Sequence, residues 1–143
     1  MNVRTASEVI SLAKELETVG VEFYHKATTA YPQYSSEFEK YTLENAKFIK
    51  QIERSYYSVI SDAIEGAFAF DLDPEPYRIR ELESDNLNSK GFLQEALSLE
   101  RQMVDFYNEA AEQSMSLMAD VPRTFKLVAK KHSKRIETIE GML

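Results

Sequence analysis

Cysteine and tryptophan are missing from this chain, and glycine and proline number only 4 each. Without cysteine there is no disulfide, no thiolate nucleophile, and no thiolate ligand for zinc or a rubredoxin-type iron. The same absence fits a reducing, cytoplasmic setting. So few glycines and prolines leave little material for many tight turns. Long apolar runs are also missing. None approaches the ~20 residues of a membrane span, and the opening MNVRTASEVI holds no apolar stretch of the secretory-leader kind. Positive charge is in deficit, with 17 Lys and Arg against 24 Asp and Glu and a net charge of −7. Nucleic-acid binding calls for the opposite balance, a basic stripe. There is no Gly-rich phosphate loop and no Ser/His/Asp order of a hydrolase. What is present is 143 residues, 43% hydrophobic and 29% charged, enough for one globular domain with its own core. The expectation is a single domain over 1–143 that binds neither nucleic acid nor membrane.

Apolar residues recur at helical spacing in four stretches. The first begins at a capping box, Thr5-Ala-Ser-Glu8, and runs through Ile10, Ala13, Leu16, Glu17, Gly20, Val21, Tyr24 and Ala27. Tyr31-Pro32 stops it, because the residue before proline avoids the α region. Ser36-Glu37-Phe38-Glu39 reads as a second capping box. The stripe that follows is Phe38, Tyr41, Asn45, Phe48, Ile52, Tyr56 and Val59, with an end expected near Gly66. A third helix follows Asn88 or Ser89 and carries Leu93, Ala96, Leu99, Glu100, Met103, Phe106, Tyr107 and Ala110. Asp120-Val-Pro122 opens a fourth, with proline in its first turn. Its stripe is Phe125, Val128, His132, Arg135, Ile139 and Met142.

The first and third helices repeat one another. ETVGVEFYHKATT, from Glu17, lies over ERQMVDFYNEAAE, from Glu100. Glu17 matches Glu100, Val21 matches Val104, Phe23-Tyr24 match Phe106-Tyr107, and Ala27 matches Ala110, all at one constant spacing. The second and fourth helices match in the same way. Phe38 on Phe125 sets Asn45 on His132, Phe48 on Arg135 and Ile52 on Ile139. The chain therefore reads as a doubled αα-hairpin: hairpin 1 over about 5–66, a crossover over about 67–88, and hairpin 2 over about 89–143. A connection that long suits a crossover between parallel neighbours in a four-helix bundle.

Each apolar stripe is interrupted by polar residues near mid-helix: Glu17, Asn45, Glu100, and the pair His132 and Arg135. Together they form a candidate polar layer inside the bundle. An ionised carboxylate in a core costs several kcal/mol unless it is paired or binds metal.

The repeated Glu with Phe-Tyr ending seven residues on, followed by a Phe-led helix with positions of interest seven and ten further, resembles the ferritin-like superfamily, and rubrerythrin-related proteins in particular. The resemblance covers most of the chain. It implies an all-α, ferritin-like four-helix bundle, often a homodimer. It also implies two irons held by one Glu from each of the first and third helices and a Glu-x-x-His from each of the others. Glu17 and Glu100 match the single Glu ligands. Asn45 and Phe48 stand at the first Glu-x-x-His, and His132 and Arg135 at the second. Both Glu-x-x-His motifs are thus lost. Two carboxylates with one permanent cation cannot balance two ferrous ions. The leading expectation is a non-catalytic relative, free of cofactor, with Arg135 replacing metal between Glu17 and Glu100. The alternative is a metal-binding oxidoreductase, ferroxidase or peroxide-reducing, using iron or another divalent transition metal on Glu17, Glu100 and His132. It would need a separate redox partner.

Tyr24 and Tyr107 follow their glutamates by two helical turns. They are expected either to hydrogen-bond the polar layer or to serve as ordinary core tyrosines. His25, Glu22 and Asp105 fall off the stripes and read as surface residues. Lys126, Lys130, Lys131 and Lys134 make the fourth helix basic, either as a solvated face or as an anion site. Phe68, Phe70 and Leu72 suit packing over the bundle or a dimer interface.

Overall fold

The computed structural model describes residues 2–59, 70–77, 88–116 and 120–143. Among them are four long α-helices and no β-strand: α1 (Ala6–Ala30), α2 (Ser35–Val59), α3 (Ser89–Gln113) and α4 (Asp120–Met142). None is long and apolar enough to cross a membrane.

The caps follow from local chemistry. At α1 the Thr5 hydroxyl accepts from the Glu8 N–H while the Glu8 carboxylate accepts from the Thr5 N–H, completing the capping box. Tyr31 closes the helix ahead of Pro32, as expected. At α3 the Asn88 side chain caps the Gly91 N–H. The start of α2 differs from the sequence reading, since Ser36 lies inside the helix rather than at its cap. A 3-10 turn, Pro32–Tyr34, runs directly into α2, and the Ser35 N–H bonds to the Pro32 carbonyl. That turn supplies what a side-chain cap would have supplied. The expected end of α2 near Gly66, and Phe68, lie outside the described residues.

Helices α1 and α2 pack as one hairpin and α3 and α4 as another, with α2 against α4 joining them. Among the described side chains, those of the four stripes are buried except Val21 and Met142, which are half-buried. Phe23 and Phe92 stack at 4.7 Å and Phe38 meets Phe92 edge-on at 5.0 Å, closing one end of the core. Buried aromatics of this size contribute ~2–3 kcal/mol each through lost apolar hydration. Phe70 and Leu72 are also buried within the chain. Leu72 exchanges backbone hydrogen bonds with Val3, and the Phe70 N–H bonds to the Arg4 carbonyl. His25, Glu22 and Asp105 are exposed.

Candidate functional site: a buried charged layer

Helices α1 and α3 each bring a glutamate to the middle of the bundle and a tyrosine two turns beyond it. The tyrosines do not serve their own helices. Tyr24 donates its hydroxyl to Glu100 Oε1 at 2.6 Å, and Tyr107 donates to Glu17 Oε1 at 2.8 Å. These crossed bonds require α1 and α3 to run antiparallel. Burial pushes both phenols well above their ordinary pKa, and the facing carboxylates push them further. They therefore remain donors.

Helix α4 adds the cations. His132 lies between the two carboxylates, with Nδ1 2.5 Å from Glu100 Oε2 and Nε2 2.7 Å from Glu17 Oε1. An ionised carboxylate only accepts, so both ring nitrogens must donate and the imidazole is protonated. Burial disfavours that charge, but Glu100 and Glu17 outweigh it and raise the His132 pKa to about 9. One turn on, Arg135 is 3% exposed. Its Nη1 donates to Glu100 Oε1 at 3.1 Å, and its Nη2 to the Tyr41 carbonyl at 3.2 Å and Glu44 Oε1 at 3.4 Å. Burial alone would raise the pKa of Glu100. His132, Arg135 and the Tyr24 hydroxyl reverse this and hold it at about 2. Glu100 thus has three partners and Glu17 two.

Aromatic rings fix the cations. The Arg135 guanidinium carbon sits 4.5 Å from the Tyr41 ring centroid, 5.3 Å from Phe48 and 5.7 Å from Tyr24. Phe48 meets the His132 ring edge-on at 5.1 Å, and Tyr107 stacks on it at 5.8 Å. Asn45, buried on α2, faces Gly20 of α1, where any Cβ would overlap its Nδ2. The Asn45 Oδ1 and Glu17 Oε2 atoms are buried with no protein partner.

All five residues of the expected polar layer are therefore buried at mid-bundle, and both tyrosines bond to it. Within the layer, His132 rather than Arg135 lies between Glu17 and Glu100, and Arg135 flanks Glu100. Three contributors were not singled out in the sequence. Gly20 makes room for Asn45. Tyr41 offers a carbonyl and a ring. Glu44, one residue before Asn45 and so turned ~100° around α2 from it, reaches Arg135 from a side chain that is 33% exposed. Periodicity marks Gly20 and Tyr41 only as stripe members.

The donor set does not fit two irons. Phe48 cannot ligate, Arg135 brings a positive charge, and both nitrogens of His132 are committed to carboxylates. Among the described residues, no group of three or more His, Asp or Glu is arranged to hold a metal. Two carboxylates against an imidazolium and a guanidinium already balance to zero. Comparison with protein-family models, curated proteins and solved structures yields no match to this chain.

Proposed function

We propose that the chain is a ferritin-like, rubrerythrin-related bundle in which His132 and Arg135 have taken the place of the two metals, leaving a non-catalytic structural or interaction protein. The observation that carries this reading is the imidazolium of His132 bonded to both Glu17 and Glu100. A proton and a guanidinium there do the charge balancing that iron does in the family the sequence resembles. The doubled-hairpin reading is supported by the crossed Tyr24–Glu100 and Tyr107–Glu17 bonds, which relate the two halves by exchange. Arg135 meets Tyr41 while His132 meets Phe48, so α2 and α4 are antiparallel. Given two hairpins, α2 and α3 then run the same way, which supports the reading of a crossover between parallel neighbours. The reading extends to a cytoplasmic homodimer, testable by light scattering at two protein concentrations.

One observation favours the alternative. Glu17 Oε2 and Asn45 Oδ1 accept no bond from the protein, and a carboxylate oxygen in that state is a usual place for a cation. A single divalent metal on Glu17, Glu100 and His132 would require His132 to lose a proton and one carboxylate bond. The deciding measurement is metal content on protein expressed with added iron and purified without chelator. Less than about a tenth of an equivalent is expected, because a metal must displace a paired proton. About one equivalent would favour the alternative. About two of iron would overturn the charge argument.

A further inference from the structure

A cleft of about 230 Å³ opens between α2 and α4, with Arg135 among its lining residues. Four cations line it, Lys40, Lys131, Lys134 and Arg135, against two anions, Glu37 and Glu44. A surplus of positive charge in a concavity runs against a chain of net charge −7. Among the described residues, none of the three lysines makes an ion pair. Lys131 instead sits over the Phe48 ring at 5.6 Å. Arg135 uses at most three of its five N–H donors in the bonds described. Its bond to Glu44 is the longest of them. The rings beneath hold the guanidinium in place, so a ligand need not order it. Tyr41 also lines the cleft. Burial, with Glu37 beside it, raises its hydroxyl to about 12, so it is a neutral donor.

We propose that this cleft binds a phosphate-sized dianion, with Arg135 as its floor and Lys131 and Lys134 as its walls. Several separate cations suit a tetrahedral group with three or four oxygens better than a planar carboxylate, which one arginine satisfies alone. The anion displaces Glu44 from its long contact with Arg135. The inference goes beyond the reading of the buried layer and does not depend on it, since the Arg135–Glu100 pair stays intact on the far side.

The test is an amide NMR titration of the full chain with inorganic phosphate and, separately, glycerol phosphate, at constant ionic strength set with chloride. Saturable shifts centred on Tyr41, Lys131 and Lys134 are expected, with millimolar or tighter affinity. Lys134→Gln should weaken binding about fivefold, and Glu44→Gln should tighten it by a similar factor. Lys130→Gln, on the same helix but off the cleft, should leave it unchanged. Equal affinity for both ligands assigns free phosphate, and tighter binding of the ester assigns the phosphoryl group of a small metabolite. No saturation by about 20 mM, or equal weakening by Lys130→Gln and Lys134→Gln, means an adventitious ion only and overturns the proposal.

Discussion

Glu17 and Glu100 occupy matching places in the two halves, yet their surroundings are unequal. Glu100 is held by Tyr24, His132 and Arg135, whereas Glu17 is held by Tyr107 and His132 and keeps one oxygen without a protein partner. The two isosteric variants should therefore separate. Glu100→Gln removes the carboxylate that His132 and Arg135 share, leaving His132 with Glu17 and Arg135 with the Tyr41 carbonyl and its long Glu44 contact, and is expected to cost about 3–5 kcal/mol in urea unfolding. Glu17→Gln leaves His132 and Arg135 on Glu100 and should cost about 1–3 kcal/mol. Equal losses would mean that Arg135 does not depend on Glu100. The same residues set the pH response. His132 rises from 6.5 to about 9 on folding, so its contribution is complete below about pH 6.5 and is lost as pH climbs through 9. Glu100 falls from 4.5 to about 2, so its contribution is complete above about pH 4.5 and is lost as pH drops through 2. Stability from the layer should plateau between about pH 4.5 and 6.5 and decline on the alkaline side by on the order of 3 kcal/mol. His132→Phe should abolish that alkaline decline in pH-dependent denaturation curves.

At the scale of the helix, Gly20 inverts the usual rule. A glycine inside an exposed helix costs about 1 kcal/mol relative to alanine. Here α1 and α2 approach so closely that a Cβ would meet Asn45 Nδ2. Gly20→Ala should thus lower the melting temperature, by the equivalent of about 1–3 kcal/mol of overpacking. Adding Asn45→Ala should recover much of the loss, and a double-mutant cycle would expose the coupling. If Gly20→Ala raises the melting temperature instead, the close approach is not rigid. The cap at Thr5 shows what local chemistry decides by itself, since both of its bonds lie within four residues. The start of α2 shows the limit. Ser36 through Glu39 has the residues of a capping box, but the 3-10 turn before it takes up the Ser35 N–H, and Ser36 lies inside the helix.

Across the whole molecule, the two hairpins meet through the crossed tyrosine–glutamate bonds and through α2 against α4. If the layer stands where a di-iron centre once stood, restoring the ligands should restore the metal. The fourfold variant Asn45→Glu, Phe48→His, His132→Glu and Arg135→His rebuilds a Glu-x-x-His on both helices. It should bind roughly two iron or zinc ions per chain and gain thermal stability on metal addition, because a ligand that binds only the folded state shifts the equilibrium toward it. The unaltered chain should show no such gain. A fourfold variant that folds yet takes up no metal would sink the ferritin-like reading.

Four helices and the members of the layer were legible in the periodicity, although the start of α2 was not. Helical periodicity leaves Glu17, Asn45, Glu100, His132 and Arg135 on inward faces, and an inward charge stands out against apolar neighbours. It also paired each glutamate with a tyrosine two turns on. Which side chains meet follows from how the helices pack on one another. That His132, not Arg135, bridges the carboxylates depends on how α4 is rotated and how far it lies from α1. That Tyr24 serves Glu100, and Tyr107 serves Glu17, depends on α1 and α3 running antiparallel. Glu44 reaches Arg135 because α2 packs on α4, although its own helical angle points elsewhere. Periodicity fixes directions about one helix axis, whereas contacts across helices depend on distances between axes, and those arise only when the whole core packs.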